Sequence, residues 1–157
     1  MTDNWIENMS IRCEIVSQDR MVFQGDADMV LLPGSEGEMG ILPNHAPLLT
    51  TLKYGIIKVR AQGQEEFFTV SGGVAEVQPD IVTVLADAAE NVEEIDISRA
   101  ESARKRAEEM LAKGPPADTD AYLKIEAALR KSTLRLDAVK RFRRVATKPG
   151  RISEEAK

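Results

Sequence analysis

The side chains capable of covalent or acid–base chemistry are few and isolated. The chain has one histidine, His45, and one cysteine, Cys13. Cys13 is in phase with Ile11 and Ile15 on a strand-like alternation, so we interpret it as a buried structural thiol. A lone cysteine makes no internal disulfide, and a lone imidazole makes no metal site. We interpret His45 as a hydrogen-bonded loop residue and predict no metal site.

Motifs of catalysis are missing from the sequence. Its serines lack the Gly-x-Ser-x-Gly turn of hydrolase nucleophiles, and there is no phosphate-binding Gly-x₄-Gly-Lys-Ser/Thr loop. We therefore expect no catalytic residue and no enzyme activity from this chain alone. Carboxylates are numerous, and sequence does not separate a catalytic pair from a solvated surface. A sugar-binding or sugar-cleaving β-sandwich thus stays a rival, although it leaves the C-terminal helices unexplained.

Charge divides the chain into two parts. The net charge of −5 combines residues 1–97, with 5 Lys and Arg against 17 Asp and Glu, and residues 98–157, with 16 against 9. An acidic body argues against nucleic acid as the main ligand, because duplex binding depends on neutralising phosphates. The basic C-terminal part calls for an anionic partner. No apolar run is long enough for a membrane span, and the N-terminus lacks the features of a signal peptide.

Residues 10–95 show the pattern of β structure. Short β-branched runs predict strands at Met9–Val16, Met29–Leu32, Ile56–Val59, Glu66–Val70, Val74–Val77 and Ile81–Leu85. Turns are predicted at Gln24–Asp26, Pro33–Ser35, Gln62–Gln64, Ser71–Gly73 and Gln78–Asp80. Gln62–Gln64 and Gln78–Asp80 are expected to be hairpin tips. Short strands at this spacing favour an antiparallel sandwich over alternating strands and helices.

The pattern becomes helical after Asp96. Ser98-Arg99-Ala100-Glu101 reads as a capping box with Ser98 as the N-cap, and the helix is expected to end at Lys113–Pro116. A second helix is expected to start with caps in Asp118–Asp120 and to reach about Arg143. The predicted apolar stripes are Ala100, Ala103, Ala107 and Met110/Leu111 on the first helix, and Tyr122, Ile125, Leu129, Ser132, Leu136 and Val139 on the second. A short connection predicts an antiparallel hairpin that is only marginally stable alone.

These patterns define an α+β fold. The expected domains are a β-sandwich over residues 1–94 and a helix hairpin over residues 95–146. Residues 147–157 are polar and interrupted by Pro149 and Gly150, and we expect them to be disordered.

Several motifs together resemble one known family. The stretch Leu31–Leu49 contains Gly-Glu-x-Gly-Ile-x-Pro-x-His-Ala-Pro-Leu-Leu, which we interpret as a compact loop stiffened by three prolines. It resembles the signature of the ε subunits of F-type ATP synthase. Ser71–Val77, Val82–Asp87 and Ile95–Ala100 resemble the next landmarks of that family. The likeness extends from about residue 10 to residue 143.

The resemblance implies an architecture and a role. The implied fold is an antiparallel sandwich of about ten strands, followed by a two-helix hairpin. The sandwich would bind the c-ring and the γ shaft, with Glu38 and His45 as rotor contacts. The helices would fold back on the sandwich or extend towards the α and β subunits, where they inhibit ATP hydrolysis. The protein would then be a non-catalytic, peripheral part of ATP synthase on the cytoplasmic face of the bacterial inner membrane.

The basic second helix then acquires a target. In the family it meets an acidic loop of a catalytic β subunit, and the matching cations here are Arg130, Lys131, Arg135, Lys140, Arg141, Arg143 and Arg144. Two alternatives stay open. These side chains form an ordinary solvated helix face, or the chain is a β-sandwich adaptor whose basic hairpin binds some other acidic protein.

Part of the family binds a regulatory ATP without hydrolysing it. The residues that match this pattern are Glu90, Asp96, Arg99, Arg106, Lys131 and Arg135. Lys131 departs from the arginine of bacterial binders, and lysine lacks the bidentate fork of arginine. Helix capping and a local ion pair are the alternative account of Asp96 and Arg99. The resemblance thus implies no required cofactor, and a regulatory ATP with or without Mg²⁺.

Overall fold

The computed structural model describes residues 9–143, which form eight strands followed by two helices. The strands are β1 (Ile11–Ser17), β2 (Met21–Ala27), β3 (Met29–Gly34), β4 (Gly37–Ile41), β5 (Leu48–Ala61), β6 (Gln64–Val77), β7 (Ile81–Ala86) and β8 (Ala89–Asn91). A 3₁₀ turn, Val92–Glu94, leads to α1 (Ile97–Ala112) and α2 (Thr119–Phe142). The predicted tail 147–157 and the predicted contact residue Arg144 lie outside the described residues.

All eight strands are joined by backbone hydrogen bonds. Their order is β2-β1-β7-β6-β5-β3-β4, and β8 pairs with β6. The two 14-residue strands β5 and β6 pair antiparallel along their length, from Leu48 opposite Val77 to Ala61 opposite Gln64. One half of β6 pairs with β8 and the other half with β7. The expected sandwich is confirmed, with eight strands in the described chain and one parallel pair, β1 with β7.

Alternating apolar residues fill the interior of the sandwich. On β1 the buried side chains are Ile11, Cys13 and Ile15, as the sequence predicts for a strand with one apolar face. Phe68 on β6 is the largest fully buried side chain, and its ring lies 5.3 Å from that of Phe23. The interpretation of Cys13 as a buried structural thiol is confirmed.

Both predicted hairpin tips are confirmed. Gln62 and Gly63 have φ values of 51° and 76°, which fit the left-handed turn of a two-residue hairpin. At the second tip, Gln78 N–H donates to the Ile81 carbonyl at 2.8 Å. The terminal regions of β5, β6 and β7 therefore form the predicted meander.

Three predictions about turns and loops are wrong. Gln24–Asp26 lies inside β2, and Ser71–Gly73 lies inside β6. Gly72 and Gly73 have positive φ, and a Cβ on Gly73 would lie 2.3 Å from the Leu85 carbonyl oxygen. The glycines thus let β6 bend and approach β7 closely without ending the strand. In the motif read as a compact loop, residues 37–41 are strand β4, because Gly34 and Gly37 close a tight hairpin with β3.

The helix hairpin is confirmed, but its predicted cap is wrong. Asp96, not Ser98, is the N-cap of α1, and its carboxylate accepts from Arg99 N–H at 3.1 Å. A carboxylate two positions earlier starts the helix sooner and adds favourable charge at its positive end. Asp118 caps α2 as predicted. In the described part of the chain, no helix combines the length and apolarity needed to cross a bilayer.

Candidate functional site

The helices dock on the sandwich through a small apolar cluster of their own. Val92, Ile95 and Ala138 are buried together, separate from the sandwich core. Phe67 of β6 stacks on Phe142 at the end of α2, with ring centroids 4.5 Å apart and planes tilted by 18°. Val139, which the sequence pattern predicted, packs against this cluster, whereas Ala138 is too small to mark a core position by itself and was missed. The helices therefore bury only a small apolar area against the sandwich.

Arginines supplement this apolar contact. The Arg143 guanidinium donates to the carbonyls of Val92 and Ile95 at 2.8 and 2.6 Å. Arg130 lies over the Tyr54 ring of β5, 4.4 Å from its centroid. Cations of α2 thus bind groups on the body of the same chain, through hydrogen bonds and a cation–π contact.

A cleft of about 480 Å³ lies between the sandwich and the two helices. Its cationic side chains come from the β1–β2 turn, α1 and α2, and they are Arg20, Arg99, Arg106, Lys131 and Arg135. Its carboxylates are Asp19, Asp87 and Glu90. Five cations against three anions leave the cleft with positive charge. Hydroxyl groups of Ser17, Thr69, Ser71, Ser98 and Ser102 complete the polar lining.

Two of the residues that line this cleft, Glu90 and Arg135, form an ion pair. Arg135 donates from Nε to Glu90 at 2.9 Å and from Nη2 to the other carboxylate oxygen at 3.2 Å. The side chains are only 18% and 25% exposed. Glu90 lies on β8 and Arg135 on α2, so this bidentate contact joins the sandwich directly to the arm.

The structure brings together five of the six residues in the matched ATP pattern. Glu90, Arg99, Arg106, Lys131 and Arg135 line the cleft, whereas Asp96 lies at the helix start and outside the lining. Sequence reasoning missed Arg20, Asp19 and Asp87, which β1, β2 and β7 deliver from far along the chain. The positions of these three residues in the sequence do not indicate that they line the same cleft. In residues 9–143, no three His, Cys, Asp or Glu side chains cluster as a metal site requires.

The predicted basic face of α2 is divided among different contacts. Arg130, Arg135 and Arg143 bind the sandwich or the linker, and Arg141 lies 5.2 Å from the Phe142 ring centroid. Lys131 and Lys140 are exposed. The cations that could meet an outside partner are therefore partly the same ones that hold the arm down.

The two predicted rotor contacts lie in different local structures. Glu38 is exposed on β4. His45 is half-buried in the loop before β5, where its Nδ1 lies 2.8 Å from the Ala46 carbonyl oxygen. Asn44, in the same loop, donates its N–H to the Pro79 carbonyl at 2.8 Å and so ties this loop to the β6–β7 turn.

A separate apolar surface crosses the outer face of the sandwich. Val74, Leu85, Val16 and Met21 follow one another across β6, β7, β1 and β2 as neighbours in register. Val74, Leu85 and Met21 are 37%, 58% and 47% exposed. Large apolar side chains side by side on a solvated sheet face are typical of a protein–protein contact.

Comparisons with known proteins give this arrangement a family. Residues 10–92 match the family described as ATP synthase, Delta/Epsilon chain, beta-sandwich domain. Residues 93–140 match ATP synthase, Delta/Epsilon chain, long alpha-helix domain. The chain belongs to the delta/epsilon chain family of ATP synthase.

Within that family the chain is similar to epsilon chains. An ATP synthase epsilon chain of Dehalococcoides mccartyi is 47% identical over 140 residues, covering 85% of this chain and 95% of the relative. The epsilon chain of Nitrosococcus oceani is 43% identical over 137 residues, covering 87% and 96%. A chain in the cryo-EM structure of the Euglena gracilis mitochondrial ATP synthase, OSCP/F1/c-ring, superposes with a TM-score of 0.69 at 27% identity, covering 83% of this chain and 82% of that one.

Proposed function

We propose that this chain is a non-catalytic subunit of the central stalk of a rotary, proton-translocating ATP synthase, and that its helices regulate ATP hydrolysis. One observation carries the regulatory part. The arm folds as its own hairpin and docks on the sandwich through three buried residues, one ring stack and a few arginine contacts. Such a contact is strong enough to define one position and weak enough to be exchanged for another.

The sandwich supplies the permanent contacts with the rotor. The apolar row of Val74, Leu85, Val16 and Met21 suits a firm protein partner, which we assign to the γ shaft. Glu38 and His45 belong to the β4–β5 region, which we assign to the c-ring. With these contacts, the subunit lies at the membrane surface, on the cytoplasmic face of a bacterial inner membrane.

The arm has two alternative sets of partners. In the docked position, Arg130, Arg135 and Arg143 bind groups of this chain. In an extended position the same cations become available to an acidic surface of the catalytic α and β subunits. Each arginine can bind either this chain or the α and β subunits, but not both at once, so docking of the arm opposes inhibition. The contacts made in the inhibited state must compensate for the contacts that are broken when the arm leaves the sandwich.

The positive cleft suits a regulatory ATP. Its volume is in the range of small-molecule sites, and its cations converge from both helices and the sandwich. A triphosphate bound there would cross-link α1, α2 and the body, which stabilises the docked arm in proportion to ATP concentration. Arg99, Arg106 and Lys131 would hold phosphates, and Arg135 would remain paired with Glu90. Asp96 would act only by fixing the start of α1.

Hydrolysis by the whole complex tests the regulatory role. The comparison is between ATP synthase with the intact chain and with a chain truncated after Glu94, which keeps every strand. We expect faster ATP hydrolysis with the truncated chain and unchanged co-purification with γ and the c-ring. Equal hydrolysis rates would remove the inhibitory role, and loss of γ and the c-ring from the intact complex would favour the adaptor interpretation.

ATP titration of the isolated protein tests the cleft. We expect NMR signals of Arg99, Arg106 and Arg135 to shift at millimolar ATP, and the shifts to diminish in Arg106→Ala. Arg104→Ala on the same helix is the matched control, because Arg104 lies outside the cleft lining. Absence of shifts near Arg99 and Arg135 would exclude this site.

A further inference from the structure

The last residues of α2 hold the segment that joins the sandwich to the arm. Arg143 directly follows the helix, and its backbone N–H still donates to the Val139 carbonyl at 3.1 Å. Its side chain reaches back to the 3₁₀ turn and donates from Nη2 to Val92, Glu93 and Ile95 carbonyls at 2.8, 3.4 and 2.6 Å. One guanidinium thus gathers carbonyls from the whole length of the linker.

The surroundings of Arg143 make this contact unusual for a residue at a helix end. Its Nε is buried and has no hydrogen-bond partner among residues 9–143. In its hydrogen bonds the guanidinium meets carbonyl oxygens of the linker. Its position directly after α2 also favours a positive charge, because the C-terminal end of a helix is negative. Just before it, Phe142 stacks on Phe67 at 4.5 Å. The end of α2 is therefore held by two adjacent side chains, Phe142 on the Phe67 ring and Arg143 on the linker carbonyls.

This point is coupled along the chain to the cleft. Glu90 and the Val92–Glu94 turn belong to one short segment, and α2 grips that segment twice, at Arg135 and at Arg143. The two grips are eight residues apart on the helix, which is about 12 Å. Separation of the arm from the sandwich must break the Arg143 bonds to Val92 and Glu93, because their carbonyls belong to the turn that follows β8, whereas Arg143 moves with α2.

We propose that Phe142 and Arg143 form a clasp on Phe67 and the linker Val92–Ile95, and that opening this clasp is the step that frees the arm. The clasp lies outside the cationic cleft, so it acts whether or not the cleft holds a ligand. The predicted effect of the clasp on ATP hydrolysis rests on the function proposed above. The predicted stabilisation of the docked arm by the clasp does not depend on that function.

Hydrogen exchange of the isolated full-length protein tests the clasp. Arg143→Ala should speed amide exchange in α2 by about 10- to 100-fold, the range expected for losing hydrogen bonds to a charged group. Arg143→Lys should give a smaller increase, because an ammonium keeps the positive charge but lacks the planar guanidinium that reaches these carbonyls. Lys140→Ala is the matched control, since Lys140 is an exposed cation on the same turn of helix. Exchange in the strands should not change in any of the three.

A substitution in the sandwich distinguishes the effect of the clasp from the effect of any partner that Arg143 binds. Phe67→Ala removes the stacking surface without altering the arm, and it should also speed exchange in α2 by about 10-fold. In the assembled ATP synthase, Phe67→Ala should slow ATP hydrolysis, because a loosened arm extends more often. If α2 exchange in Arg143→Ala matches that in Lys140→Ala, the clasp is refuted. If exchange rises in Phe67→Ala and hydrolysis does not change, the clasp stands and the inhibitory role of the arm fails.

Discussion

The sandwich and the helical arm are stabilised in different ways. The sandwich buries one continuous cluster of 17 apolar residues, including Phe68, Ile57 and Val84. In the described residues, the contact between arm and body buries Val92, Ile95 and Ala138, and the Phe67–Phe142 stack and the arginine contacts supply the rest. Apolar burial adds up over many small contacts, whereas the arm depends on a few directional ones.

This difference determines how each part responds to change. A core of interlocking side chains unfolds as a unit, since removing one side chain weakens all its neighbours. A contact made at four or five points opens locally at a free energy well below that of global unfolding. We therefore expect the body to stay folded when the arm separates from it.

The largest expected effect comes from the core of the sandwich. Phe68→Ala should lower the free energy of unfolding by about 3–5 kcal/mol, because it removes the largest fully buried side chain and leaves a cavity. Urea denaturation followed by circular dichroism measures this loss.

The matched substitution in the arm is Phe142→Ala. It removes the same side chain from a half-buried, stacked position and should leave the unfolding of the strands within about 0.5 kcal/mol of the parent protein. Equal losses from the two substitutions would mean that arm and sandwich unfold together, and the distinction drawn here would be invalid.

A smaller effect concerns the pH dependence of the sandwich. Burial, with a minor contribution from Glu14, raises the pKa of the Cys13 thiol from 9.0 to about 12. The folded protein thus keeps the thiol proton at pH values where the unfolded chain releases it. The unfolding free energy is unaffected below pH 9 and falls between pH 9 and 12, by about 1.4 kcal/mol per pH unit.

Cys13→Ala isolates this contribution from other groups that titrate at high pH. The loss of stability from pH 8 to pH 10 should be smaller in the variant by about 1.4 kcal/mol, as measured by urea denaturation at each pH. In the parent protein at pH 8, labelling of Cys13 by a thiol reagent should require unfolding. Identical pH dependence in the two proteins would contradict a strongly raised thiol pKa.

Much of the fold could be predicted from the sequence because its patterns are local. Both hairpin tips, the break at Lys113–Pro116 and the Asp118 cap follow from short-range chemistry. The errors at Ser71–Gly73 and Gln24–Asp26 have one cause. Glycine is typical both of turns and of bent strands, and only the neighbouring strand decides between them. The wrong cap at Ser98 arose because Asp96 also fits that role.

The candidate site was predictable only in part. Family resemblance supplied Arg99, Arg106, Lys131 and Arg135, and spacing along two antiparallel helices brings them to one cleft. Arg20 lies in a turn more than seventy residues away, where nothing in its neighbourhood indicates a shared cleft. The contact of Arg143 with the linker was also not predicted, because every residue has a backbone carbonyl and the sequence does not show which ones accept a hydrogen bond from a side chain.

The smallest expected effect concerns the ion pair that joins the arm to the sandwich. Glu90→Gln removes the carboxylate that pairs with Arg135 and increases the excess of cations in the cleft. At low salt the arm should loosen, and amide exchange in α2 should rise about 3- to 5-fold, because the amide oxygen of glutamine still accepts one hydrogen bond from Arg135 and the loss is about 1 kcal/mol.

The salt dependence of amide exchange in the Glu90→Gln variant has a predicted direction. In Glu90→Gln the remaining charges of the cleft repel one another, and added salt screens that repulsion, so exchange in α2 should slow again at high ionic strength. Glu108→Gln is the control, because Glu108 is exposed on α1 and, among residues 9–143, forms an ion pair with Arg104 alone, at 3.9 Å. Faster exchange of the Glu90→Gln variant at high salt would show that attraction elsewhere in the cleft dominates. The arm would then be held mainly by its charges and not by the stack and the linker contacts.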